Sequence, residues 1–574
     1  MATDQGSQHV SSARKGSPLR WAGRKFAEVF GADLRSLAAL RIMLGLLVVA
    51  DLILRATDFR AHYTDAGILP RSQLIEEGLI GDTKFSLLLA NGDLVILALF
   101  FCVTAIAAIC MILGYRTRLM TIIVWVMVIS IQFRNPMLLN AGDTLLRLLL
   151  FWSMFLPLGA YWSVDRWREA APRRLSMQFL SIGTIGLLLQ IAFVYVFTAL
   201  LKTGDAWRVD GTALYYALNM DQLVTPFGAW MTQFPDLLRL LTFATLGLEA
   251  IGPFLLFFPF FTGPVRTAML FAFMSLHFGI WTMMEIGFFP WISALCMVCF
   301  LPAWFWNTAG RWTDAAFPRL LPGITSGFRR AATGLEGLYA ALPRGGPSRA
   351  HGIVDPSITG LSGGGDGSEV RSSSAASTAE APRRDEAGRQ GPQGPVKLRP
   401  ALLTNLLAAC FLAYISCWNL TTVTSFELPE RLEDTGDFFG LGQTWSMFAP
   451  EPSDEASWYV MPGTLRGGHK VDLMNVTRDD FHMHPVSWDE PEYLAGIYET
   501  NHWRKYMTSA NNLAYPDDVR RYFADYVCDE WNASHKGPKK LKSLKSFSME
   551  QQTPPPGGKP DAPTRDFVWK YSCS

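Results

Sequence analysis

Net charge is what this chain most conspicuously lacks. Its 51 lysines and arginines stand against 50 aspartates and glutamates, a formal +1 over 574 residues, and no basic patch with interleaved aromatics is visible. No nucleic-acid partner is expected from such a chain. Cysteine is scarce too. Of eight, six lie inside apolar stretches, where a buried thiol is ordinary packing. Cys528 and Cys573 lie near the end of the chain, free to pair if that part meets an oxidising compartment. No metal-ligand cluster is legible: His482 and His484 are near neighbours without further ligands and read as surface residues. There is no internal repeat and no cleavable signal peptide, so the first apolar run reads as a signal anchor. The ending Tyr571-Ser572-Cys573-Ser574 does not fit a prenylation box.

What the chain has is apolar length. Residues 36–306 are dominated by runs of about 20 residues, enough to cross a bilayer. Nine spans are expected: Ser36–Leu54, Leu94–Leu113, Met120–Phe133, Leu145–Trp162, Phe179–Leu201, Leu237–Phe261, Thr267–Ile286, Phe288–Trp306 and Ala401–Leu420. The fold class is therefore an α-helical multi-pass membrane protein of eight plus one spans, with a C-terminal α+β extracytoplasmic segment. The break at Glu285-Ile286-Gly287-Phe288-Phe289-Pro290 is too brief for an ordinary loop and reads as a tight turn or a broken helix lining a cavity.

Residues 1–35 form a basic leader. In it Trp21, Phe26, Val29, Phe30 and Leu34 alternate with Arg20, Arg24, Lys25 and Arg35, which suits an interfacial helix. Arg116 and Arg118, then Arg166, Arg168, Arg173 and Arg174, then Arg266, then Arg311 and Arg319 mark the inner loops. That puts the N-terminus in the cytoplasm and the C-terminal part outside the inner or plasma membrane. Residues 307–399, rich in Gly, Ser, Ala, Pro and Arg, read as a disordered cytoplasmic linker, and 400–420 as the last span.

Residues 421–574 read as a soluble domain. A hairpin is expected from Ser457–Val460 and His469–Leu473 around Arg466-Gly467-Gly468. A helix is expected behind Pro516-Asp517, with Tyr515, Val519, Phe523, Val527 and Trp531 at helical spacing. Phe567–Tyr571 alternates like a strand. Gln443–Pro452 is expected as an ordered loop at the membrane surface.

The polar groups inside or at the ends of spans are few. The fifth span stops at Lys202, which either snorkels to the interface or does chemistry. As a base it would need its pKa brought down from about 10.4 by a dry setting or a neighbouring cation. His277 lies in the seventh span, Asn140 and Asp143 between the third and fourth, and Glu249 inside the sixth. All but Glu249 are expected to face one outward-opening cavity. Asp143 and Arg147, at i and i+4, are spaced to pair. Cys296-Met297-Val298-Cys299 has a redox spacing but falls in mid-span and reads as packing.

Tyr161-Trp162-Ser163-Val164-Asp165, then Lys202 followed by Asp205-Ala206-Trp207, then His277 followed by Ile286-Gly287-Phe288-Phe289-Pro290, resemble the vitamin K-dependent γ-glutamyl carboxylases. More closely, residues from about 30 to 306 resemble the bacterial HTTM (horizontally transferred transmembrane domain) proteins, which share that carboxylase core. Gln443–Pro450 is similar to a segment common after the core in bacterial members. The resemblance implies a cavity open to the outside in which Lys202 deprotonates reduced vitamin K of menaquinol type. Oxygen then adds, the resulting base removes the γ-proton of a protein glutamate, and carbon dioxide captures the carbanion. It implies that His277, Asn140, Asp143, Asp205, Trp207 and Glu285 surround the substrate or cofactor. One departure is plain. The carboxylases carry an Asn-His pair before the fourth span, whereas this chain reads Asn140-Ala141-Gly142-Asp143.

Two functions follow as expectations. One is a carboxylase-like lyase or epoxidase at the outer face. The other is a non-catalytic maturation, export or scaffold protein whose residues 421–574 hold a peptide or protein client. Thiol redox through Cys296 and Cys299 is the weaker third reading.

Overall fold

In the computed structural model, residues 18–76, 78, 83–169, 174–316, 395–474, 482–511 and 517–573 are described. Most of the expected linker, together with Arg173, Arg319, Tyr515 and Pro516, lies outside them.

Apolar runs become helices because only internally bonded backbone is stable in hydrocarbon. The chain folds as α1 (Leu34–Thr57), α2 (Leu94–Leu113), α3 (Thr117–Arg134), α4 (Ala141–Ser153), α5 (Ile182–Leu201), α6 (Pro235–Leu256), α7 (Thr262–Met283), α8 (Phe289–Cys296) and, after the linker, α9 (Leu402–Thr421). Six of these helices, α1, α2, α3, α5, α6 and α9, are long and apolar enough to cross a bilayer among the described residues. A seventh counts if Phe289–Phe300 and Ala303–Arg311, bent by 93°, make one span. The bend has a local cause. Pro302 disfavours helical backbone at the residue before it, and Leu301 is extended, at φ −62° and ψ 117°. The chain is a multi-pass membrane protein in contact with the lipid bilayer. The leader contains a helix at Pro18–Phe30 whose Phe30 ring stacks 5.3 Å from Phe257, at the end of α6.

The break after α7 is a short piece of β-structure. Met284 is extended and bridges Val224, the Glu285 N–H donates to Leu223 O at 2.6 Å, and the Thr225 N–H donates to Met283 O at 3.0 Å. Backbone freed from the helix is thus re-bonded by a neighbouring segment. Gly287 follows with φ +71°, where an L side chain is strained and a Cβ would press on the Asn501 amide.

The C-terminal segment opens with a short helix, Glu430–Phe438, and continues as an antiparallel five-stranded sheet with two further helices. The strands are β1 (Glu455–Val460), β2 (Pro462–Leu465), β3 (Lys470–Asp472), β4 (Leu541–Gln552) and β5 (Thr564–Ser572). β4 is central: β1 and β2 pair along its two halves on one side and β5 on the other. The expected hairpin is re-registered. β2, not the Ser457–Val460 stretch, pairs with β3 around Gly467-Gly468, because β1 is taken by β4. The helices are α10 (Asn501–Asn511) and α11 (Asp517–Ser534), the latter burying Val519, Phe523, Val527 and Trp531. A disulfide joins Cys528 of α11 to Cys573 just past β5.

The loop Gln443–Pro452 packs against the bundle. Trp445 is fully buried. The Gln190 amide in α5 donates to Gln443 Oε1 at 2.7 Å, and the Trp445 indole donates to the same oxygen at 3.0 Å. A polar group inside the bundle needs such a partner, and Gln443 supplies it.

Candidate functional site

α5 ends where Lys202 leaves helical backbone, at φ −73° and ψ 75°, with its N–H still bonded to Thr198 O. Thr203 and Gly204 turn the chain into a short helix, Asp205–Arg208. A Cβ on Gly204 would run into the Glu451 side chain, which accepts from the Ala206 N–H at 3.2 Å. Arg208 Nε donates to the Lys202 carbonyl at 2.8 Å, satisfying an open group at the helix end.

The lysine side chain turns inward. It is 4 % exposed, its Nζ donates to Glu249 Oε2 at 2.6 Å, and it lies 3.8 Å from the centre of the Trp207 ring. A snorkelling anchor would show the opposite. Trp207 is itself fixed, its indole N–H donating to Phe448 O at 2.8 Å. Glu249, which sequence alone sets apart from the other polar groups, is the direct partner of Lys202. The hint was available, since an acid alone in an apolar helix needs a cation.

One turn of packing away, the His277 Nε2 and the Tyr195 hydroxyl are 2.7 Å apart, and His277 Nδ1 has no hydrogen-bond partner. Tyr195 lies two helical turns before Lys202 and so on its face of α5. Tyr195, Lys202, Trp207, Glu249 and His277 line a cavity of about 400 Å³ whose other walls are mostly apolar, with Thr198, Thr245 and Ser275 among them. Met447 and Phe448 of the buried loop close part of it.

The expected single cavity is in fact two. Asn140, Asp143 and Glu285 line a second cavity, of about 840 Å³, bounded also by residues of the C-terminal segment. Met284 and Ile286 line both, so the re-bonded strand after α7 is the wall between them. Asp205 lines neither. It is exposed and opens the short helix, its carbonyl accepting from the Val209 and Asp210 N–H groups.

In the second cavity the carboxylates are already engaged. Arg55 Nε donates to Asp51 Oδ2 at 2.7 Å, and the same guanidinium bonds Asp143 and the Tyr63 hydroxyl. Asn140 caps α4, its Oδ1 accepting from the Gly142 N–H at 2.7 Å, while Asp143 Oδ2 accepts from the Asn140 N–H at 2.9 Å. Asp143 does not pair with Arg147. That guanidinium reaches instead to Gln132 Oε1 at 2.7 Å and Gly440 O at 2.5 Å, where it ties the C-terminal segment to the bundle. The Glu285 carboxylate bonds the Tyr493 hydroxyl.

Donor atoms of Asp51, Asp143 and His502 lie within 4.8 Å of one another. Arg55 supplies both carboxylates with a cation, so the arrangement is satisfied as a guanidinium-bridged acid pair. Burial, with Arg55 and His62 adding to it, pulls His502 well below the ordinary histidine pKa, which leaves a neutral imidazole. Cys296 and Cys299 are buried and free, with Cys296 Sγ donating to Ser293 O.

The family model of the HTTM domain matches residues 31–304. Residues 31–304 form an HTTM domain. HTTM domains are found in vitamin K-dependent gamma-carboxylase-related proteins. No curated protein and no solved structure matches the chain. The HTTM match holds Lys202, Glu249 and His277 and ends before the buried loop and α10, so both cavities are finished by residues outside the HTTM domain.

Proposed function

We propose that the chain is a membrane enzyme in which Lys202 and Glu249 exchange a proton with the hydroxyl of an apolar ligand, a reduced naphthoquinone of menaquinol type, in the 400 Å³ cavity. The single observation that carries this reading is the inward, dry amine of Lys202, bonded to a carboxylate and facing a mostly apolar space. Apolar walls suit the rings of such a ligand, and the pair supplies the polar group that orients it.

With the shared proton on Glu249, the Lys202 amine has a lone pair to accept an O–H proton. The ammonium so formed lies between the carboxylate and the face of Trp207, which stabilises it. His277 offers its open Nδ1 to a second polar edge of the ligand, while Tyr195 fixes the ring through Nε2. Met447 and Phe448 exclude water on one side. A bound quinol, reacting with oxygen, would end as the epoxide and supply the strong base that carboxylation needs, with carbon dioxide as the other co-substrate. Ala141 stands after Asn140 where the carboxylases have histidine, and the Asp143 carboxylate serves Arg55 and the helix cap, so any quinone chemistry rests on Lys202, Glu249 and His277. The same proposal takes the bent and shorter helices as completing eight plus one spans, the N-terminus as cytoplasmic and residues 421–574 as outside.

A second reading has its own support. The Lys202–Glu249 pair is satisfied without any ligand, as in a scaffold protein holding a client outside. The discriminating experiment is the Lys202→Met, Glu249→Leu double variant, which strands no buried charge, in membranes supplied with reduced menaquinone. Loss of quinol turnover with retained folding supports the enzyme. Retained cellular function in that variant supports the scaffold.

A further inference from the structure

The larger cavity has two unlike ends. At one, Leu54, Phe227, Trp281 and Trp291 line it and are themselves 41–46 % exposed. The Trp281 and Trp291 rings meet edge to face with centroids 5.0 Å apart. Exposed tryptophans suit headgroup level, which makes this side the exit for an apolar tail in the proposal below.

At the other end, α10 brings Arg504 and His502. Arg504 donates to Asn501 Oδ1 at 2.5 Å, its Nε is buried with no hydrogen-bond partner, and it forms no ion pair among the described residues. The His502 ring makes no hydrogen bond among the described residues, although it is buried. Glu285, bonded to Tyr493, and Glu499 line the same cavity. A half-buried guanidinium without an ion pair gains from an anion that completes it. A simple anion would meet four carboxylates, since Asp51 and Asp143 line the cavity along with Glu285 and Glu499. A group carrying both signs would not.

We propose that this cavity seats a zwitterionic phospholipid. Its phosphate lies against Arg504 and its ammonium toward Glu285. Its chains leave past Leu54 and the Trp281–Trp291 pair. At about 840 Å³ the space is of ligand-site size and holds the headgroup and glycerol, with the open side taking the tails. The occupant is distinct from the ligand of the smaller cavity, from which Met284 and Ile286 divide it.

The test is native mass spectrometry of the full chain released from detergent, titrated with phosphatidylethanolamine, phosphatidylglycerol or inorganic phosphate. Phosphatidylethanolamine should bind and stay bound. Arg504→Gln should weaken it about tenfold, which is roughly 1.4 kcal/mol, and Arg504→Lys should recover part of the loss. The Lys202→Met, Glu249→Leu double variant should leave it unchanged, which separates this proposal from the quinol reading. Thermal unfolding in detergent monitors folding of each variant. If Arg504→Gln does not fold, Trp281→Ala with Trp291→Ala, at the exit for the chains, takes its place with the same expected weakening. Wild-type retention in both variants would overturn the proposal. So would equal binding of phosphatidylglycerol, which removes the role of the ammonium, or displacement of the lipid by inorganic phosphate alone, which makes this a free-anion site.

Discussion

A lysine can lie inside a dry helical bundle only with company. Lys202 has Glu249 at 2.6 Å and the Trp207 face at 3.8 Å. Removing one partner leaves the other as an uncompensated buried charge. Lys202→Ala should therefore destabilise the chain by about 3–5 kcal/mol, whereas exchanging both partners for apolar residues of similar size, as in Lys202→Met with Glu249→Leu, should be near neutral. Thermal unfolding in detergent checks both. The same logic applies to Arg55, whose guanidinium joins Asp51 and Asp143. Arg55→Met should lower the unfolding temperature, and Asp51→Asn in the same chain should restore part of it, because one of the two stranded carboxylates is then gone. The Asp51–Arg55 spacing was open to view in the sequence, four residues apart on one helix. The link to Asp143 was not, because it needs the packing of α1 against α4.

At the scale of elements, long apolar runs were the legible part. α1, α2, α5 and α9 lie close to where hydropathy put them. Shorter or interrupted runs were not legible as structure. Pro302 bends the stretch expected as one span, and the strand after α7 owes its existence to Leu223–Thr225, a segment about 60 residues away that hydropathy does not mark. The C-terminal hairpin slipped for a related reason. β1 looked like an arm of it until β4, some 80 residues later, claimed it. One pairing belongs wholly to this scale. The Cys528–Cys573 bond closes a loop of sequence separation 45 and holds α11 to the end of β5. Cys573→Ser should cost about 2–4 kcal/mol of that segment's stability. Hydrogen exchange should rise in α11 and β5 and stay unchanged in α1 to α6.

Across the whole molecule, the C-terminal segment finishes both cavities. Sequence could name Lys202, Trp207 and His277 because they stand in or beside recognisable runs. It could not name Met447, Phe448, His502 or Arg504, which come from beyond the linker and reach the HTTM domain only through tertiary packing. One contact between the two parts should respond to pH. Glu490, in the C-terminal segment, sits against Asp221 of the HTTM domain. Burial, then the Asp221 hydrogen bond and charge, push Glu490 up to about 8, and burial raises Asp221 as well. A carboxyl whose folded pKa is raised favours the folded contact most below its unfolded value near 4.5, and that contribution is lost as pH rises to about 8. Protection from hydrogen exchange around Glu490, relative to the intrinsic rate at each pH, should therefore be higher at pH 6 than at pH 9, and Glu490→Gln should remove that difference in protection.

The most direct measurement of the central claim is quinol oxidation by the full chain in lipid vesicles containing reduced menaquinone and oxygen, comparing the wild type with the Lys202→Met, Glu249→Leu double variant. The double variant is predicted to keep the wild-type unfolding temperature within a few degrees and to lose about 100-fold or more of the turnover, the scale of a missing proton-transfer group. A folded double variant that turned over the quinol at the wild-type rate would contradict the account, because the buried amine and its carboxylate would then take no part in the chemistry.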